Sequence, residues 1–185
     1  MTTAADIVRV AEEVRAAGLI YRDQRTGYVS IQQSPPYSGD NDRFGTMWVE
    51  HCGISVAYVL TRAGLRFGVD YPDGIQYSPS LAVQLLRGGY DQTPQPGAVG
   101  VIDWGAAGYG ATAYSDHVVL IIRVDGDYYV TWETNTTADG GAYYYRRHKS
   151  LFTAVGMPKG LTDDPTPPTP AASAIPALTA VLASL

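Results

Sequence analysis

The sequence predicts an α+β domain, with helices in the first half and an antiparallel sheet in the second. Two observations carry that prediction. Apolar residues recur at helical spacing as far as about residue 87, then give way to short runs rich in β-branched and aromatic residues. Those runs are separated by glycine and Asp-Gly turns, which join antiparallel neighbours. The chain has 185 residues, 45% of them hydrophobic, and a single cysteine. One domain of this size can be held by burial, with neither a disulfide nor a multi-cysteine zinc site.

Residues 4–17 read as the first helix. Ile7, Val10, Ala11 and Val14 share a face, Thr3 with Asp6 forms a capping box, and Gly18 is a natural stop. Residues 19–47 read as irregular, with turn chemistry in "SPPYSGDNDRFG". The second helix spans 52–63 and leaves little polar surface, so it is expected to be buried on most sides. In the third, Ser78 caps, Pro79 suits the first turn, Leu81, Val83, Leu85 and Leu86 are apolar, and Gly88-Gly89 ends it.

Four strand-like runs follow, at 97–104, 117–124, 127–134 and 142–149. "VDGDYY" (Val124 to Tyr129) marks a hairpin. If it pairs the second and third runs, residues whose numbers sum to about 252 lie opposite one another. His117 then faces roughly residue 135, with Glu133 and Asn135 beside it.

The formal net charge is −5 and the isoelectric point near 5.0. The densest basic run, "YRRHK" from Tyr145 to Lys149, reads as a solvated strand face, so nucleic acid is not the expected partner. The first residues carry acids and lack an apolar core. No stretch reaches the roughly 18 apolar residues that a membrane helix needs. The expectation is synthesis in the cytoplasm without a signal peptide, and no membrane insertion. Residues 1–161 read as the folded domain, 162–170 ("TDDPTPPTP") as a stiff Pro/Thr-rich linker, and 171–185 as a short apolar tail of unknown role.

The lone thiol, Cys52, stands where the second helix begins. The positive end of a helix favours thiolate over thiol. A nucleophile also needs a base, and the base needs a group that orients it. His51 is next to Cys52 in sequence and diverges from it. His148 closes a basic run with no acidic neighbour. His117 opens an apolar strand, with Glu133 and Asn135 expected on the paired strand, and is the better base.

These residues, in "WVEHCGISVAYVLTRAG", "PQPGAVGVIDW", "SDHVVLIIRVDGDYYV" and "WETNT", resemble the CHAP family of cysteine- and histidine-dependent amidohydrolases/peptidases over roughly residues 5–160. The resemblance implies a papain-like fold with a catalytic cleft between helices and sheet. It implies a phage endolysin-like hydrolase that cuts a peptidoglycan amide, as an endopeptidase or an N-acetylmuramoyl-L-alanine amidase. Cys52 would be the nucleophile, His117 the base, and Glu133 with Asn135 the orienting pair. His51 and Gly53 would lie at the oxyanion and substrate side. No cofactor is expected. Calcium, which some relatives hold just ahead of the cysteine, has only Asp40 and Asp42 as candidates. The expected partners are bacterial peptidoglycan and a separately encoded lytic or wall-binding protein, with action on the wall after release from the cell. Two other readings stay open: an NlpC-like cell-wall peptidase, which typically has a serine where Gly53 stands, and a non-catalytic tail or wall-binding module of the same fold.

Overall fold

A computed structural model describes residues 2–22, 29–31, 51–72, 75, 78–105 and 116–162. Helix α1 runs Ala4–Ala16. The Asp6 N–H donates to the Thr3 hydroxyl and the Thr3 N–H to the Asp6 carboxylate, both at 3.1 Å. This capping box satisfies two backbone donors that a helix start leaves open. Ile7, Val10, Ala11 and Val14 are buried, as their spacing predicts. Strands β1 (Ile20–Arg22) and β2 (Val29–Ile31) pair antiparallel in a region that the sequence reads as irregular.

Helix α2 (Cys52–Arg62) is buried at every residue from Cys52 to Leu60. Helix α3 (Ser78–Arg87) starts at Ser78 itself, and buries Leu81, Ala82 and Leu85 while Val83 and Leu86 stay exposed. Five strands form the main sheet: β3 (Val99–Ile102), β4 (His117–Asp125), β5 (Tyr128–Glu133), β6 (Tyr143–His148) and β7 (Phe152–Gly156). Their order is β6-β5-β4-β3-β7, with every neighbouring pair antiparallel. The fold is therefore mixed α+β, as expected.

Sheet faces follow from strand alternation. Val99, Val101, Val118, Leu120, Trp132 and Ala154 share one face and join the buried residues of α1, α2 and α3 in the main core. Helix α2 packs on β4, and α3 on β7. The other face carries Ile121, Tyr129 and the Phe152 ring, packed in and against a second, smaller cluster. Gly100 lies under that ring: a Cβ there would meet Phe152 ring carbons at 2.7 and 2.9 Å.

The β4–β5 hairpin gives pairs summing to 253 next to the turn (Asp125↔Tyr128, Arg123↔Val130) and to 252 beyond a bulge at Ile122 (Ile121↔Thr131, Leu120↔Trp132). The expected register is therefore correct past the bulge, where it sets the site. Strand β5 stops at Glu133, however, so the alternation that carried Asn135 toward His117 ends two residues short of it. Asn135 sits in the bend beyond the strand with φ 62, in the left-handed region that asparagine tolerates better than most residues.

Among the described residues, no helix is long and apolar enough to cross a membrane. Asp40, Asp42 and residues 163–185 lie outside the described residues. Thr162 is tied to the domain rather than lying in the linker: its N–H donates to the Thr2 carbonyl at 3.0 Å.

Candidate active site

The site forms where the first residue of α2 meets the first residue of β4. Cys52 is a free thiol, 6% exposed, and it hydrogen-bonds to His117, which is 5% exposed. A nearly continuous apolar helix explains the placement. Val56, Ala57, Val59 and Leu60 are fully buried and fix the helix, so the residue at its start is held still. The N-cap residue of α2, His51, makes no side-chain capping hydrogen bond, and the first turn of α2 carries no acidic residue. The N–H of Ser55 bonds to the carbonyl of His51. The N–H groups ahead of it in the helix have no intrahelical acceptor.

On the other side of the imidazole lies Glu133, which is fully buried. The last β4–β5 pair is Leu120↔Trp132, and one step further in that register Glu133 falls opposite Val119, diagonal to His117 on the same face. Diagonal positions are about 7–8 Å apart, within reach of a long side chain. Nε2 of His117 is accordingly 3.2 Å from Oε2 of Glu133. The N–H does not point along that line, so the contact is an ion pair rather than an aligned hydrogen bond.

Arg147 completes the arrangement. Its Nε and Nη2 donate to Oε1 and Oε2 of Glu133 at 2.8 and 2.7 Å, a two-bond fork. The Thr131 hydroxyl donates to Oε1 at 2.5 Å. The basic run is thus a solvated face only in part. Arg147 turns inward onto Glu133, and Arg146 pairs with Asp125 at 3.1 Å. Alternation holds the signal that could have found Arg147. In the β5–β6 ladder Glu133 pairs with Tyr143, so Tyr145 and Arg147 share the face of the candidate acid.

Trp104, just past β3, stacks on His117 with ring centroids 6.0 Å apart and planes at 28°. The Arg147 guanidinium lies 4.6 Å from the Trp104 ring centroid and 4.4 Å from that of Tyr145.

The electrostatics follow from these contacts. Burial by itself lowers the pKa of His117. The hydrogen bond to Cys52 and the close contact with Glu133, then the charges of both, outweigh it and push the imidazole up to about 9. Burial by itself raises Glu133, but the hydrogen bonds from Arg147, the close His117 imidazole and the charges of both bring it down to about 2. Near neutral pH the imidazole is cationic and the carboxylate ionised.

The His51 ring is 1% exposed, and its Nε2 lies 2.9 Å from the Gly140 carbonyl, to which it donates. His51 ties the start of α2 to the loop after β5. Gly53 is the second residue of α2 and is buried. Among the described residues, no three His, Cys, Asp or Glu side chains gather as a metal site.

No protein-family model matches the chain, and no curated protein does. A solved structure described as "The crystal structure of Ly7917" is similar at a TM-score of 0.41 and 14% sequence identity. The similarity covers 85% of this chain and 63% of that one, so the chain spans less than two thirds of that protein. A likeness of this degree bears on neither activity nor substrate.

Proposed function

We propose that the chain is a cysteine-dependent amidohydrolase/peptidase of the CHAP type, with a papain-like arrangement of helix and sheet, acting on an amide of bacterial peptidoglycan. The observation that carries the reading is the line of contacts Cys52–His117–Glu133, in which a helix-start thiol meets a buried imidazole backed by an ionised carboxylate. Such a line is what nucleophilic catalysis by a thiol requires. An acid rather than a second histidine behind His117 favours this family over the NlpC-like one. A complete line also weighs against a module that has kept the fold and lost the chemistry.

In the proposed cycle His117 already carries, as the imidazolium, the proton that the Cys52 sulfur gives up, and its Nδ1 is left for the sulfur by the placement of Nε2 beside Glu133. The sulfur attacks the amide carbonyl carbon. The carbonyl oxygen becomes an oxyanion near the open backbone N–H groups at the start of α2, where the helix dipole is positive. When the tetrahedral intermediate collapses, the C–N bond breaks. The amine leaves with the proton from His117, and a thioester remains on Cys52. Water then attacks the thioester while His117 takes its proton. The carboxylic acid departs as the C–S bond breaks, and the sulfur is again beside a protonated His117. Glu133 stays ionised throughout and steadies the imidazolium.

The test is lysis of purified Gram-positive and actinobacterial walls by the wild type, Cys52→Ala and His117→Ala. Both variants should fold and lose lysis. Equal lysis by all three would sink the mechanism. Product analysis assigns the bond: a freed glycan with intact stem peptides means an amidase, and a new amino terminus within the peptide means an endopeptidase.

A further inference from the structure

Three hydrogen bonds hold the Glu133 carboxylate: one comes from Thr131 on its own strand, and two come from Arg147 at the edge of the sheet. In register Arg147 pairs with Tyr129, and Glu133 lies four residues further along the same strand. At about 3.3 Å per residue that is roughly 13 Å along the strands. Only two long side chains laid toward each other close such a gap. Arg147 does so over Tyr145, with Trp104 also against the guanidinium. The side chain is 21% exposed and the carboxylate it holds is fully buried. A buried carboxylate left without such partners would favour its neutral form or turn toward water.

We propose that Arg147 is a positioning residue of this site: its two-bond fork fixes the Glu133 carboxylate in the orientation that presents Oε2 to His117. The imidazole's orientation then depends on a residue of β6, the outermost strand, which touches neither thiol nor imidazole through any hydrogen bond described above. The inference rests on the proposed cysteine-hydrolase reading for its consequence in catalysis, but not for its geometry.

The charged and titratable groups around His117 come from every neighbouring element. Cys52 and the buried His51 lie on the α2 side, Glu133 on β5, Arg147 behind it on β6, and Asp103 at the end of β3. Asp116 precedes His117 and accepts the Trp104 N–H at 2.8 Å.

The experiment compares the wild type with Arg147→Met, which keeps a long apolar stem, and Arg147→Lys, which keeps the charge without the fork. The titration of the His117 ring is followed by NMR on each folded protein without substrate, alongside the pH profile of wall lysis. With the fork gone, Glu133 is expected to leave Nε2. The His117 midpoint should then fall by at least one pH unit in Arg147→Met, and kcat should drop tenfold or more with KM little changed. Arg147→Lys should lie between the two. An unchanged or raised midpoint in Arg147→Met would overturn the proposal, because the carboxylate would have stayed in place without the fork, held by Thr131. Arg147→Lys indistinguishable from the wild type would overturn the fork as the device. Absence of lysis by the wild type would sink the hydrolase reading alone, since the ring titration still tests the fork.

Discussion

Replacing Glu133 by glutamine should remove a share of stability that depends on acid pH. In the folded chain the carboxylate is brought down to about 2, against an ordinary value of 4.5. A shift of 2.5 units at about 1.36 kcal/mol per unit gives roughly 3 kcal/mol. The folded value lies below the unfolded one, so this contribution is complete above pH 4.5 and is lost as pH falls through 2. By pH 3 about three-fifths of it is gone. His117 remains cationic over that range, so the carboxylate is the member of that pair that titrates. Glutamine keeps the shape and cannot ionise, so the gap between the two proteins isolates the charge. The assay is urea unfolding of wild type and Glu133→Gln at pH 6, 5, 4 and 3. The gap should narrow by about 2 kcal/mol from pH 6 to pH 3. A gap that stays constant would mean that Glu133 titrates as an exposed carboxylate does, and the buried pair would not stand.

Other expectations follow from the same contacts. His117 is held up first by its hydrogen bond to Cys52, so Cys52→Ala should lower the midpoint of the ring, read by NMR, from about 9 toward 6.5. Cys52 in the wild type should react with iodoacetamide faster than free cysteine near pH 7, and His117→Ala should abolish the difference. Gly100→Ala drives a methyl group into the Phe152 ring and should cost about 1–3 kcal/mol in urea unfolding. Thr3→Ala removes the capping hydroxyl and should cost about 1 kcal/mol, with no effect on lysis.

Much of the frame was legible because local chemistry and tertiary fold agree. The capping box at Thr3, the stop at Gly18 and the Asp-Gly hairpin each state their own geometry. The bulge at Ile122 was not legible, since nothing distinguishes that residue from its apolar neighbours. Strand β7 follows β6 after only a three-residue helical turn, Lys149–Leu151, with no glycine or proline to mark the break. Within the site, Cys52, His117 and Glu133 could be placed because two strands and one turn fix their relation. Arg147 needed the next ladder out, whose register depends on the bend after Glu133. A charge in a strand looks solvated until its opposite number is known.

Thr2 bears a consequence of a different kind. Its carbonyl accepts both the N–H and the hydroxyl of Thr162, at 3.0 and 3.3 Å, and its own hydroxyl donates to the Ala63 carbonyl at the far end of the helix that starts with Cys52. The backbone between these two threonines is close to a closed ring. A short linker joining residue 162 to residue 2, with new termini opened at Gly126 in the β4–β5 turn, should give a circular permutant that still assembles the same pocket. Any module fused ahead of Thr2 or behind Thr162 would leave from one spot, and two such modules would hang side by side instead of from opposite poles.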